Sequence, residues 1–206
     1  DDKADFDNIQ AAVDAASDGD EIIVMPGTYT STGDEVVNML GKAVWLHSSK
    51  GEEVTIIDGE DTRRGIYCNN QEPSNTIIEG FTITNGYTNG NGGGMANNSS
   101  SPSLTDCTFD SNTANWGSGG GMYNTNSNPT LENCTFTGNT AYSGGGMRNY
   151  SSSPMLRDSR FCGNSPTHIE GDWNDLGWNL FWDVCNDCNG NGIDDFQDIL
   201  DGTSLD

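Results

Sequence analysis

The sequence predicts an all-β solenoid, a parallel β-helix of about six to seven turns, preceded by a capping helix and followed by a short acidic tail. Two observations carry this. The stretch GGGMANNSSSPSLTDCTFDSN returns as GGGMYNTNSNPTLENCTFTGN and then as GGGMRNYSSSPMLRDSRFCGN, with Met95, Met122 and Met147 standing 27 and then 25 residues apart. The same intervals separate Asn97, Asn124 and Asn149; Pro102, Pro129 and Pro154; Leu104, Leu131 and Leu156; Phe109, Phe136 and Phe161; and Asn112, Asn139 and Asn164. Within each unit, short alternating pieces such as Cys107-Thr108-Phe109 read as strands. Gly, Asn, Ser and Pro part these pieces, so the unit bends several times. A propeller blade needs about 40–45 residues, whereas a unit of this length suits one turn of a coil.

The elements follow in order. Residues 1–19 hold FDNIQAAVDAA, in which Phe6, Ile9, Val13 and Ala16 fall on one helical face. Asp5 is the expected N-cap. Such a helix covers the open apolar end of a solenoid and its unpaired edges. Residues 20–182 form the coil. DEIIVMPGTY and AVWLHSSKGEEVTIIDG read as strands of early turns. IYCNNQEPSNTIIEGFTITNG continues the repeat with small slips: Tyr67 aligns with Met95, Ile77 with Leu104, Phe81 with Cys107 and Ile83 with Phe109. Successive turns about 4.7–4.9 Å apart would stack like residues into ladders. Phe109/Phe136/Phe161 and Leu104/Leu131/Leu156 are expected as inward columns. The columns Asn97/Asn124/Asn149 and Asn112/Asn139/Asn164 are expected as bonded ladders at the bends, because Asn tolerates left-handed backbone.

FDNIQAAVDAASDGDEIIVMPGTY followed by GGGM…PxLxxCxF turns resembles secreted bacterial right-handed parallel β-helix proteins of the pectin-lyase-like type. The resemblance covers roughly residues 5–182. It implies an extracellular or cell-surface location. It leaves activity open, because this scaffold hosts lyases, hydrolases, epimerases, adhesins and structural proteins.

Residues 183–206 form an acidic tail. In DCNGNGIDDFQDILDG, Asp187, Asn189, Asn191, Asp195 and Asp198 take positions 1, 3, 5, 9 and 12 of a calcium loop. Gly192 allows the turn and the Ile193 carbonyl supplies position 7. The loop resembles those of thrombospondin type 3 repeats and, less closely, dockerins. Asp198 stands where an EF-hand has Glu, and Asp194 stands where EF-hands and dockerins prefer an aliphatic residue. Calcium is the expected cofactor. Asp206 falls where the first ligand of a second loop is expected, and DDKADFDNIQ reads as an already processed N-terminus.

The net charge is −23, concentrated in residues 1–61 and 170–206. That balance argues against nucleic acid and repels polyanionic polysaccharide. No apolar run is long enough to span a membrane. Cys107 and Cys134 are expected as buried free thiols. An extracellular location permits a staple from Cys162 to Cys185 or Cys188. His47 and His168 stand apart in the sequence and read as structural.

The outward columns are Thr105/Glu132/Arg157, Thr108/Thr135/Arg160 and Asp106/Asn133/Asp158. A lyase would use Arg157 or Arg160 as base beside Glu132. A hydrolase would use Asp106 and Asp158. Trp116 and Tyr142, with Tyr87 in the preceding unit, lie in Gly-rich loops where they could stack on sugars. The reading favoured by the sequence is an extracellular, non-catalytic structural or adhesive module, able to self-assemble, with a calcium-ordered tail. The alternatives are a polysaccharide lyase or hydrolase and a carbohydrate-binding module. The expected partners are the chain itself or an extracellular polysaccharide.

Overall fold

The structure is a computed structural model that describes residues 5–182. The chain winds into a right-handed parallel β-helix of about six turns. The expected calcium loop, Cys185 and Cys188 lie outside the described residues.

Three long sheets run along the coil axis. Sheet A stacks Glu21–Val24, Trp45–Ser48, Ile77–Glu79, Ser103–Thr105, Thr130–Glu132, Met155–Arg157 and Asn174–Asp175. Sheet B stacks Gly27–Tyr29, Thr55–Asp58, Thr82–Thr84, Thr108–Asp110, Thr135–Thr137, Arg160–Cys162 and Leu180–Trp182. Sheet C stacks Glu35–Asn38, Arg64–Cys68, Met95–Asn98, Met122–Thr125, Met147–Tyr150 and Ile169–Glu170. A smaller sheet D joins Tyr87–Thr88, Thr113–Ser118 and Thr140–Ser143. Sequence recurrence becomes register: Met95 pairs with Met122 and Met122 with Met147. Leu104, Leu131 and Leu156 align likewise.

The core fills with these columns. Phe109, Phe136 and Phe161 are fully buried, and their rings stack with centroids 4.7 and 4.6 Å apart. Phe181 extends the stack at 5.2 Å. Each buried Phe contributes about 1.5–3 kcal/mol from apolar burial alone.

The two Asn columns do different work, and one corrects the expectation. Asn97, Asn124 and Asn149 lie inside the strands of sheet C, with φ negative, and not at bends. The left-handed positions are Ser99, Asn126 and Ser151 (φ 54°, 50°, 50°) and Asp106, Asn133 and Asp158 (φ 52°, 51°, 51°). An inward strand amide can instead bond along the axis. Asn97 Nδ2 donates to Asn124 Oδ1 at 2.8 Å, Asn124 Nδ2 to Asn149 Oδ1 at 2.9 Å, and Asn149 Nδ2 to the Asp172 carbonyl at 2.9 Å. Asn112, Asn139 and Asn164 do sit at a bend, one residue after left-handed Ser111, Gly138 and Gly163. Asn112 Oδ1 accepts from the Gly86 amide, and Asn139 Oδ1 and Asn164 Oδ1 accept from Asn112 and Asn139.

The GGG run has a steric cause. Gly92, Gly119 and Gly144 are left-handed at φ 74°, 69° and 61°. A Cβ on Gly94 would lie 2.6 Å from the Gly121 carbonyl oxygen, and one on Gly121 would lie 2.6 Å from that of Gly146. Neighbouring turns thus approach too closely for any side chain.

The helix spans Ile9–Ala15, and Ile9 and Val13 pack on the first turns. Its N-cap is Asn8, whose side chain accepts from Ala11 N, in place of the expected Asp5. Phe6 falls before the helix and is 45% exposed, so it does not join the apolar face. The upstream alignment also shifts by one residue: Met95 pairs with Ile66, not Tyr67, and Leu104 pairs with Ile78, not Ile77. A one-residue slip exchanges inward for outward faces. Phe109 does pair with Ile83. Among the described residues no helix is long and apolar enough to cross a membrane.

Candidate functional site

The left-handed bend between sheets A and B turns Asp106, Asn133 and Asp158 outward in one column. Backbone bonds lock it: Asp106 N donates to the Glu132 carbonyl and Asn133 N to that of Arg157, both at 3.1 Å. Asn133 Nδ2 donates to Asp106 Oδ1, so the amide bridges two turns. Beside this column stand Thr105 and Glu132 from sheet A and Arg160 from sheet B. Arg160 occupies the register position of Thr135 and Thr108, and its longer side chain reaches the same space.

Together these side chains line a groove of about 670 Å³, closed at its C-terminal end by Trp178 and Leu180. Trp178 is 84% exposed. Its backbone is left-handed at φ 62°. For a bulky residue that conformation costs about 1–2 kcal/mol. Among the described residues its indole has neither a ring contact nor a hydrogen bond, and its left-handed backbone belongs to the bend between sheets A and B at which Asp106, Asn133 and Asp158 are left-handed too.

Of the residues singled out in the sequence, the groove gathers Glu132, Arg160, Asp106 and Asp158. Arg157 pairs with Glu132 in register but does not line the groove. Trp116 and Tyr142 are 79% and 81% exposed, and they stand on strands of sheet D and not in loops. Their rings do not contact one another, and Tyr87 aligns with Thr113, away from Trp116.

Two features escaped the sequence reading. Trp178 lies beyond the last recognisable repeat, and only its place after Gly177 in an isolated loop signals it. His47 is not solitary. It stacks on Trp45 at 4.2 Å, and its Nε2 lies 2.9 Å from Glu21 Oε1, while Trp45 Nε1 donates to Glu79 Oε2 at 2.9 Å. This cluster fixes the first turns of sheet A from outside. A second cleft, of about 460 Å³, separates the cap helix from the 29–32 loop and is lined by Asn8, Gln10, Tyr29, Glu60 and Arg63 among others. There Tyr29 hydroxyl is tied to the Met25 carbonyl and Arg63 pairs with Glu60, so its polar groups answer one another.

Cys68, Cys107 and Cys134 are free and buried. Burial, then Cys107 beside it, pushes the Cys134 thiol well above its ordinary range. Burial, then Glu72, does the same to Cys68. Neutral, enclosed thiols of this kind are inert. Cys162 is disulfide-bonded, and the expected partners Cys185 and Cys188 fall outside the described residues. Among the described residues no three His, Cys, Asp or Glu side chains converge to hold a metal.

Asp106 and Asp158 are two turns apart, about 9–10 Å by strand spacing. That is the upper edge of an inverting pair. Asn133 stands between them, and none of the three carboxylates is buried. The exposed indole thus offers an apolar face next to carboxylates and an amide that can hydrogen-bond.

The family described as right handed beta helix region matches residues 25–180. No curated protein and no solved structure matches the chain.

Proposed function

The chain belongs to the right-handed β-helix family, and from that premise we propose that it is an extracellular, non-catalytic adhesive module that holds a polysaccharide in the groove beside Trp178. One observation carries the reading: an 84% exposed indole on a left-handed backbone, at the end of a groove otherwise lined by Asp106, Glu132, Asn133, Asp158 and Arg160. The rigid ladders beneath supply preorganisation, since the bend that carries three of these groups is bonded turn to turn. The calcium-ordered tail, Asp187 to Asp198, belongs to the same proposal as an extracellular ordering element. The location and the tail rest on sequence resemblance alone.

The test is a glycan array probed with the full chain and with Trp178→Ala. The expected result is selective binding that Trp178→Ala removes while Trp116→Ala retains it. Binding that survives Trp178→Ala, or none at all, sinks the proposal. The placement of Asp106 and Asp158 favours a hydrolase as the second reading. Reducing ends released from a bound glycan, and lost in Asp106→Asn and Asp158→Asn, would establish it in place of the first.

A further inference from the structure

We infer that the segment 183–206 folds back over the open C-terminal end of the coil and closes it, with Phe196, Ile199 and Leu200 seated on Phe181 and Trp173. The inference goes beyond the calcium and polysaccharide readings and needs neither. The two ends of the coil differ. At the N-terminal end, the helix Ile9–Ala15 lies over the first turns and buries Ile9 and Val13. It also serves a strand edge: Gln10 Nε2 donates to the Asn38 carbonyl at 3.2 Å, and Gln10 Oε1 accepts from the Asn38 amide at 2.7 Å. Among the described residues nothing comparable covers the other end. Ile169–Glu170, Asn174–Asp175 and Leu180–Trp182 are the last strands of sheets C, A and B, so three edges stop together. The phenylalanine stack stops there as well. Phe161 is fully buried, whereas Phe181, the next ring, is 40% exposed and meets Trp173 at 5.6 Å. Strand edges left open around an apolar face are a template for another chain, and folded proteins cover them.

A covalent link selects the occupant. Cys162 is disulfide-bonded, while Cys68, Cys107 and Cys134 are free. Of the six cysteines in the chain, that leaves Cys185 or Cys188 as its partner. Cys162 pairs in register with Trp182, the last residue of the last strand. The chain that leaves Trp182 is therefore tied back to the end turn within a few residues. Residues 189–206 start from that tether. Phe196, Ile199 and Leu200 recur there at helical spacing, an apolar stripe of the kind that Ile9 and Val13 present at the opposite end. A short tether gives such a stripe an effective concentration of about millimolar at the face it must cover. A second copy of the chain, free in dilute solution, competes poorly with it.

The test is hydrogen exchange read by mass spectrometry, on the full chain and on Phe196→Ser/Ile199→Ser/Leu200→Ser, both in excess calcium, with light scattering of the full chain over a dilution series. Opening of one end appears as local loss of protection. In the triple variant, exchange in peptides covering 169–182 should speed up by about tenfold or more, while peptides covering 95–125 keep the rates of the full chain. The substituted residues lie outside the coil, and the unchanged peptides report that it is folded. The full chain should scatter as a monomer and keep its protection of 169–182 on dilution.

Unchanged rates in 169–182 overturn the inference. Acceleration spread evenly over the coil overturns it too, because the segment would then act on global stability and not at this end. A dimeric full chain whose protection of 169–182 fades on dilution assigns the end to a second copy instead. Glycan binding through Trp178 is read separately and survives any of these results.

Discussion

Asn139 Oδ1 accepts two hydrogen bonds from Asn112, from its backbone N at 2.9 Å and from its side-chain Nδ2 at 3.0 Å. Asn139 in turn donates through Nδ2 to the Phe109 carbonyl at 2.8 Å and to Asn164 Oδ1 at 2.9 Å. One fully buried side chain thus satisfies two backbone groups of the preceding turn and bonds to the Asn164 side chain of the next.

Asn139→Ala leaves the buried Asn112 amide without its acceptor and strips a donor from both the Phe109 carbonyl and Asn164 Oδ1. Each such group costs about 1–3 kcal/mol. The expected loss is about 2–4 kcal/mol in urea unfolding. Asn128→Ala removes one exposed bond, to Ser153 N, and should cost under about 1 kcal/mol. Equal losses at the two sites would show that the ladder is not a principal source of stability.

Gly121 and Gly138 separate crowding from backbone conformation. A Cβ on Gly121 meets the Gly146 carbonyl oxygen at 2.6 Å, whereas one on Gly138 meets nothing closer than 3.6 Å, although its φ is 62°. Gly121→Ala should cost more than about 3 kcal/mol or prevent folding, since two turns must part. Gly138→Ser should cost about 1 kcal/mol or less, because Ser111 holds the equivalent place one turn earlier at φ 56°. Thermal melts of both variants give the comparison, and a mild effect at Gly121 would refute the close approach of the turns.

The coil was legible in the sequence where the turn length holds steady. Met95, Met122 and Met147 recur with their neighbours, and the register follows letter by letter. It fails by one residue at Tyr67 and Ile77, where the loops differ in length and apolar residues adjoin, so that Ile66 or Tyr67 satisfies the pattern equally by eye. The left-handed bends were not legible, because Asp, Asn, Ser and Gly serve there interchangeably and leave no letter signature. The groove was half legible. Its columns Thr105/Glu132 and Asp106/Asn133/Asp158 follow from the repeat, but Trp178 lies past it and has no counterpart to align. The Trp45–His47 stack appears only when register sets Glu21 and Glu79 on either side.

The buried thiols give the fold an alkaline limit. The folded pKa of Cys134 is raised above the ordinary value near 9.0, by burial first and Cys107 second. Cys68 is raised too, by burial and then Glu72. A raised thiol pKa means that stability is complete below the unfolded value and is lost as pH climbs above it toward the folded value. Each such thiol can impose a slope of up to about 1.4 kcal/mol per pH unit in that window. Urea midpoints should therefore hold steady from neutral pH to about pH 8 and fall by pH 10. Cys68→Ala/Cys134→Ala should flatten that fall, at some cost in packing at neutral pH. An unchanged alkaline slope in the double variant would assign the effect to other groups.

The acidic tail is open to a direct measurement. Asp187, Asn189, Asn191, Asp195 and Asp198, with the Ile193 carbonyl, supply the oxygen count and the alternate spacing that calcium requires. Titration of the full chain with calcium should show one site at about 0.1–1 mM, the range of extracellular modules. Asp187→Asn/Asp195→Asn removes two charges from the ligand set and should weaken that site by at least about tenfold. The groove provides the internal control, because Asp106→Asn/Asp158→Asn leaves the tail ligands untouched. If this second variant loses calcium and the first retains it, the ion belongs to the bend column on the coil. Loss confined to the tail variant, with Trp178-dependent glycan binding preserved, would separate the ordering element from the binding surface.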